Sequence, residues 1–159
     1  MDNRELKITK RHLPHWTMEG VLYFITFRTI SNKLSIDEQR LVLDNIIKGN
    51  NKYYNLIATI VMPDHVHLII KPENEYNLSK ILRGIKGATA RGINLMRKSK
   101  GSIWQGESFD RIIRSQDELI EKLNYMLNNP IKNGLTENPW EYHGWYIYNN
   151  MYINKDNEE

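Results

Sequence analysis

Cysteine is absent from the 159 residues, and long apolar runs are absent as well. Without cysteine the chain has no disulfide bond, no thiolate zinc site and no thiol nucleophile, so a bound metal ion must be held by imidazole, carboxylate or amide groups. No stretch of about 18 apolar residues is available to span a membrane, and the polar start from Met1 to Glu5 lacks the apolar segment of a secretory signal. We therefore expect a cytoplasmic protein with no membrane partner.

A glycine-rich loop of the kind that cradles nucleotide phosphates is also missing. With 40% hydrophobic and 26% charged residues, the chain has the composition of one folded domain over residues 1–159. Its net charge of +3 permits a nucleic-acid partner without requiring one. We expect residues 1–19 to form a basic arm that includes Lys10 and Arg11, and residues 136–159 to form a C-terminal wrap and tail.

Hydrophobic patterning and turn signals predict four strands and three helices. The strands are predicted at Val21–Thr29, Tyr53–Val61, His65–Ile70 and toward the end of Ile103–Arg114, and the helices at about Ser35–Lys48, Leu78–Lys98 and Ser115–Asn129. Ser35 to Glu38 and Ser115 to Glu118 have the form of capping boxes, and Pro130 is expected to end the last helix. This order matches a ferredoxin-like or RRM-like α+β domain, with an antiparallel sheet backed on one face by helices and a C-terminal tyrosine-bearing helix.

Two histidines lie two residues apart in the predicted third strand, within the apolar run Ala58 to Ile70. Side chains alternate along a strand, so His65 and His67 point to the same face, about 6 to 7 Å apart. At that spacing two imidazoles can share one metal ion. The alternative is that they are merely polar residues on the face of a half-buried strand. The same alternation directs the neighbouring Asp64 to the opposite face.

The helix predicted from Leu78 has one apolar side and one basic side. The apolar side is predicted to hold Leu78, Ile81, Leu82, Ile85, Leu95 and Met96, and the opposite side Lys80, Arg83, Lys86, Arg91, Arg97 and Lys98. No acidic residue of the helix interrupts the basic side, which favours a polyanion-binding surface over an ordinary solvated face. Trp104, further along the chain, could stack on a nucleobase or fill the core, and core filling is the commoner use.

The last predicted helix carries Tyr125 away from its apolar stripe, and Asn129 follows one turn later on the same side. Tyr125 is therefore not expected in the main core-facing surface of this helix. A tyrosine that covers a neighbouring loop, and an asparagine that terminates the helix, are the simpler explanations of these two residues.

Several segments together resemble the REP-associated tyrosine transposases, which are IS200-like members of the single-tyrosine HUH transposase superfamily. The matching segments are Val61-Met-Pro-Asp-His-Val-His-Leu68, Trp104-Gln105, Phe109-Asp-Arg-Ile-Ile-Arg114 and Tyr125-Met-Leu-Asn-Asn-Pro-Ile-Lys-Asn-Gly-Leu135. The resemblance implies that His65 and His67 are metal ligands, that Tyr125 is the nucleophile, and that Asn129 is a third, amide-bearing ligand. Trp145-Tyr-Ile departs from the Trp-Ser-Ser that often follows the tyrosine helix.

The resemblance also implies an activity: cleavage and rejoining of single-stranded DNA through a 5′-phosphotyrosine intermediate, which is the chemistry of DNA transposition. The expected cofactor is Mg²⁺ or Mn²⁺, and the expected partner is single-stranded DNA or a REP-like stem-loop, with association with the nucleoid when bound; a homodimer is also open. We expect the DNA to contact Lys10, Arg11, Arg83, Lys86, Arg91, Trp104, Arg111 and Arg114.

Two alternatives remain open at this point. A non-catalytic RRM-like module could use the histidines as sheet-face contacts to nucleic acid. A zinc-dependent hydrolase is the weaker alternative, because Asp64 is the single nearby carboxylate and its side chain should face away. Convergence of His65, His67, Tyr125 and Asn129 in space would favour the transposase.

Overall fold

The computed structural model describes residues 7–9, 20–73 and 75–148. Lys10 and Arg11, the two cations assigned to the N-terminal arm, lie outside the described residues. The elements are β1 (Leu22–Arg28), α1 (Ile36–Lys48), β2 (Tyr54–Val61), β3 (His65–Pro72), α2 (Leu78–Arg97), β4 (Phe109–Ile113), α3 (Gln116–Lys132) and β5 (Trp145–Ile147). None of the helices in these ranges is long and apolar enough to cross a membrane.

The strands form one antiparallel sheet in the order β4-β1-β3-β2-β5. The first four strands with α1 and α2 have the ferredoxin-like arrangement, so the predicted α+β class is confirmed. The structure adds β5, which the sequence did not predict, because Trp145–Ile147 pairs with Ala58 to Ile60 of β2. Part of the predicted C-terminal wrap thus extends the sheet.

The sheet separates two cores because side chains alternate between its faces. On one face, Val66, Leu68 and Ile70 pack with apolar residues of α1 and α2. On the other face, Ile69 and Phe24 pack with the apolar stripe of α3. β3 lies between β1 and β2 and is buried from His65 through Ile70. The central strand therefore provides a stiff support for any polar residue that it carries.

The two predicted capping boxes differ in the structure. Ser35 and Glu38 make both reciprocal bonds at the start of α1, as predicted. Ser115 accepts a hydrogen bond from the Glu118 backbone at the start of α3, but the Glu118 carboxylate binds Arg111 instead. The return bond of the second capping box is therefore replaced by an ion pair to β4.

Two helix predictions are wrong in detail. α3 does not end at Pro130 but continues to Lys132. Proline lacks a backbone N–H and therefore removes one helical hydrogen bond, a loss that a helix can accommodate close to its end. In α2, Leu95 is 80% exposed and Met96 is also exposed, whereas Ile93 is fully buried. At about 100° per residue, Leu95 lies about 200° around the helix from Ile93, so the two cannot share one face.

Candidate active site on the α3 face of the sheet

The two histidines of β3 lie side by side beneath α3. His65 pairs with Arg28 of β1 and His67 with Thr26, so both side chains occupy the same face of the sheet. Their ring centroids are 4.7 Å apart, and the residues are only 8% and 3% exposed. The shared face predicted from strand alternation is confirmed.

Tyr125 and Asn129 approach this pair from α3. The Tyr125 ring lies 5.4 Å from the His67 ring and 6.5 Å from the Phe24 ring, measured between centroids, and the tyrosine remains 46% exposed. One turn later, Asn129 Nδ2 lies 3.5 Å from His67 Nε2. The structure thus brings the four residues singled out in the sequence together, with Tyr125 open to solvent and Asn129 buried.

Each histidine ring is hydrogen-bonded through its Nδ1 atom. His67 Nδ1 lies 2.7 Å from Thr26 Oγ1, and His65 Nδ1 lies 2.7 Å from Asp64 Oδ1. The prediction that Asp64 faces away is wrong, because Asp64 precedes β3 in the bend after β2 and strand alternation does not govern it. In both rings Nε2 is the nitrogen that remains for another partner.

Burial controls the charge of this site. Burial, reinforced by nearby positive charges that include Arg28 and Lys122, lowers the pKa of His67 to about 3. Burial opposes ionisation of Asp64, but the hydrogen bond and charge of His65 outweigh it and hold the Asp64 pKa below its ordinary value. At neutral pH the site therefore contains a neutral imidazole, which is the form that binds a metal ion.

The candidate donors for a divalent ion at this site are two imidazoles and one amide. In the described part of the chain, no group of three or more His, Asp and Glu side chains could hold a metal, so a site here depends on the amide of Asn129. Asn129 Oδ1 now accepts a hydrogen bond from Asn133 Nδ2 at 2.6 Å, while Asn129 Nδ2 faces His67. A half turn of this amide would present its oxygen to His67 and would give up the hydrogen bond from Asn133 Nδ2.

An open pocket of about 590 Å³ lies in front of His67 and Tyr125. Arg28, Lys122 and the exposed Phe109 also line it, and none of the three was among the predicted site residues. Lys122 could have been found, because it precedes Tyr125 by three residues on the same helix. Arg28 and Phe109 could not, since their positions depend on how β1 pairs with β3 and β4.

The basic side of α2 is only partly free. Arg83 and Arg91 are exposed, as expected for a polyanion-binding surface. Lys86, by contrast, donates hydrogen bonds to the Gln105 carbonyl oxygen at 2.7 Å and to Ser108 Oγ at 3.1 Å. Its ammonium group therefore holds the loop before β4, and this structural use competes with the phosphate contact predicted for it. Arg97, also on this side, is paired with Glu38 of α1.

Trp104 is a core residue, and the prediction that it contacts DNA by stacking on a base is wrong. It is 5% exposed, its Nε1 donates to Thr89 Oγ1 at 2.9 Å, and its ring meets Phe27 edge to face. A nucleobase cannot stack on an indole that is buried on both sides. Arg111 and Arg114 are exposed on the β4 side of the domain, and Arg111 is paired with Glu118.

The fold and this site can now be set against known proteins. Residues 22–126 match the family described as "Transposase IS200 like", and the chain belongs to this family. The matched range includes His65, His67 and Tyr125 but ends before Asn129.

Particular relatives agree with this assignment. A candidate REP-associated tyrosine transposase of Haemophilus influenzae is 27% identical over 105 aligned positions, and the match covers 58% of this chain and 60% of that protein. The REP-associated tyrosine transposase of Escherichia coli K12 is 26% identical over 121 residues, 74% of this chain and 70% of that protein. The resemblance to REP-associated tyrosine transposases noted in the sequence is thereby confirmed.

A solved structure shares the fold. It is described as a REP-associated tyrosine transposase bound to a REP hairpin, and it superposes with a TM-score of 0.69 at 19% sequence identity. The match covers 97% of this chain and 92% of that chain. At this identity the similarity shows a common fold.

Proposed function

We propose that this protein is a tyrosine transposase that cleaves and rejoins single-stranded DNA hairpins with the help of a divalent metal ion. The observation that carries the proposal is the position of Tyr125: its half-exposed ring borders an open pocket and lies 5.4 Å from the ring of buried His67. A core tyrosine would be buried, and a tyrosine that merely covers a loop would have no reason to face a histidine pair.

In the proposed reaction, the Tyr125 phenol oxygen attacks the phosphorus atom of the scissile phosphodiester. The new bond joins Tyr125 Oη to phosphorus, the phosphorus–O3′ bond breaks, the phenol proton passes to solvent, and the departing 3′-oxygen takes up a proton. The product is a 5′-phosphotyrosine and a free 3′-hydroxyl. One phosphoester bond is exchanged for another, so no bond energy is lost. A 3′-hydroxyl can therefore attack the phosphotyrosine and rejoin a strand without a nucleotide cofactor.

A phenol has a pKa near 10, so the site must stabilise developing phenolate charge. Lys132 Nζ lies 6.0 Å from the centre of the Tyr125 ring, and Lys122 lines the same pocket. Both cations can stabilise negative charge that develops in the transition state of the attack. Arg28, on the other side of the pocket, is placed to bind the charged phosphate.

The proposed metal ligands are the two imidazoles and the Asn129 amide. A Mg²⁺ or Mn²⁺ ion held by His65, His67 and Asn129 would supply Lewis acidity at the phosphate oxygens. Both histidines are buried, and burial lowers the pKa of His67 so that its imidazole is neutral and able to bind a metal ion at neutral pH. Thr26 and Asp64 occupy the Nδ1 atoms, which leaves Nε2 of both rings as candidate donor atoms.

DNA binding is proposed to use exposed groups at the pocket and on α2. Phe109 can stack on an unpaired base, and the exposed Arg83 and Arg91 of α2 can bind the phosphate backbone. The structure that shares this fold was described with a REP hairpin bound, which favours a hairpin as the substrate class. A homodimer stays a prediction.

The RRM-like alternative is less well supported. As sheet-face contacts the histidines would have to be open to bases, whereas both are buried below α3. A hydrolase that uses Asp64 as its general base is also disfavoured, because that carboxylate is hydrogen-bonded to His65. Both alternatives predict no covalent complex between protein and DNA.

The test uses single-stranded DNA hairpins with a label at the 5′ or the 3′ end, incubated with Mn²⁺ and separated on denaturing gels. Wild type should retain the fragment on the 3′ side of the cut, because that fragment carries the 5′-phosphate bound to tyrosine. His65→Ala and His67→Ala should lose cleavage while hairpin affinity stays within a few fold. His143→Ala is the matched control, because His143 is hydrogen-bonded to Gln39 of α1 and is not one of the four site residues, so this variant should cleave normally. Cleavage by the double His65/His67 variant in chelator would refute the proposed metal site.

A further inference from the structure

Both histidines of the candidate metal site have a side-chain hydrogen-bond partner of their own. Thr26 comes from β1, directly opposite His67 in the strand register, and is buried. Asp64 comes from the bend before β3, and its side chain is half-exposed. The two bonds are equally short, 2.7 Å each, although they come from different elements. Neither partner contacts the reacting atoms in the reaction proposed above.

The neighbours of His67 agree on the position of its ring proton. With its amide in this orientation, the Asn129 nitrogen can only donate, so its position 3.5 Å from Nε2 favours an unprotonated Nε2. In a neutral ring the proton then resides on Nδ1 and is donated to Thr26 Oγ1. The His67 ring is therefore held as the tautomer whose free lone pair lies on Nε2.

The same conclusion holds for His65 for a different reason. An ionised carboxylate has no proton to give, so the short contact between His65 Nδ1 and Asp64 Oδ1 requires a proton on Nδ1. The lone pair of a neutral His65 ring then also lies on Nε2. Two independent partners thus select the same tautomer in two adjacent rings.

We propose that Asp64 and Thr26 are positioning residues that fix the tautomer and orientation of His65 and His67, so that both Nε2 atoms are available to one divalent cation. This inference rests on the metal-dependent function proposed above. Partners of this kind raise the basicity of a ligating imidazole, and their loss typically costs about 10- to 100-fold in metal affinity. Thr26 should matter more than Asp64, because it is buried and water cannot replace it as readily.

The test measures Mn²⁺ binding to the full chain, without DNA, from the electron paramagnetic resonance signal of free Mn²⁺. Thr26→Val keeps the shape of the side chain but removes the hydroxyl, and should weaken Mn²⁺ binding about 10- to 100-fold. Thr26→Ser should restore most of the affinity. Asp64→Ala should weaken binding by a smaller factor, and Asp64→Asn, whose amide oxygen can still accept a hydrogen bond, should lie between it and wild type.

Thr89→Val is the matched control. Thr89 is a buried threonine on the opposite side of the sheet, so its replacement also removes a buried hydroxyl but should leave Mn²⁺ affinity unchanged. Histidine ring nitrogen NMR of the metal-free proteins, at about pH 8 where an ordinary imidazole is neutral, reports the tautomers directly. Wild type should show a protonated Nδ1 in His65 and His67, and Thr26→Val should show mixed tautomers in His67.

The outcomes separate this inference from the proposed function. Wild-type Mn²⁺ affinity in both Thr26→Val and Asp64→Ala, together with unchanged tautomers, overturns the inference and leaves the metal-dependent function intact. A wild-type protein that binds no Mn²⁺ overturns both. A loss of affinity in Thr89→Val equal to that in Thr26→Val would show that the effect is a general consequence of destabilisation, and would also overturn the inference.

Discussion

Replacing Tyr125 by phenylalanine removes one oxygen atom from the candidate nucleophile and leaves its ring in place. The residue is 46% exposed, and its neighbours include the His67 and Phe24 rings and the Lys132 ammonium group. Exposed substitutions of this kind change the free energy of unfolding by about 0.5 kcal/mol or less. For a chain of 159 residues, that corresponds to a change in Tm of no more than about 2 °C. Hairpin affinity should stay near wild type, while cleavage and the covalent adduct disappear together.

Tyr142→Phe is the matched control for this experiment. Tyr142 is buried, and its hydroxyl donates a hydrogen bond to the Val61 carbonyl oxygen at 2.7 Å. Its removal should cost about 1 kcal/mol or more and lower Tm by about 2–4 °C, while adduct formation by the folded protein continues. Denaturing gels and thermal melts of both variants give the comparison. A Tyr125→Phe protein that still traps DNA, or one that unfolds like Tyr142→Phe, would refute the assignment of Tyr125 as nucleophile.

Three further predictions concern the surface and the core. Replacing Arg83 and Arg91 by alanine should flatten the salt dependence of hairpin binding by about 1.4 in log–log slope, at about 0.7 per phosphate contact; an unchanged slope would mean that this face is only solvated. Trp104→Phe should lower the free energy of unfolding by about 1–3 kcal/mol in denaturant titrations and leave hairpin affinity unchanged; weakened binding by a fully folded variant would contradict its burial. Glu38→Gln should destabilise the protein at neutral pH by about 1–3 kcal/mol, because the hydrogen bonds from Arg97 outweigh burial and lower the Glu38 pKa. A carboxyl group whose pKa is lowered in the folded state stabilises the fold above its ordinary pKa, and this contribution is lost as pH falls. The difference in unfolding free energy between Glu38→Gln and wild type should therefore shrink below about pH 4. A difference that stays constant with pH would exclude the Glu38 charge as its cause.

The positions of the candidate catalytic residues could be predicted because they follow from local periodicity. Alternation along β3 puts His65 and His67 on one face, and the helical repeat puts Tyr125 and Asn129 one turn apart. These rules act over two to four residues and do not depend on how distant elements pack. The rule failed for Asp64 because that residue stands just before the strand, where the backbone is bent.

The uses of several charged and aromatic residues could not be predicted because their partners are distant in sequence. Lys86 binds backbone atoms of the loop near Gln105, and Arg97 pairs with Glu38, 59 residues earlier. The composition of α2 indicates a basic face but not which of its cations another element holds. Trp104 fits a binding surface and a core equally well by residue type, and the packing of α2 against the sheet decides between them.

The measurement that tests the account most directly is mass spectrometry of the covalent protein–DNA complex after digestion with trypsin and nuclease. Cleavage after Lys122 and Lys132 releases a peptide, Leu123 to Lys132, in which Tyr125 is the single tyrosine. The account predicts that this peptide carries a 5′-phosphodeoxynucleotide on the Tyr125 side chain, and that the adduct forms only with a divalent cation. An adduct mapped to any other peptide, or no adduct with any hairpin in Mn²⁺, would contradict it.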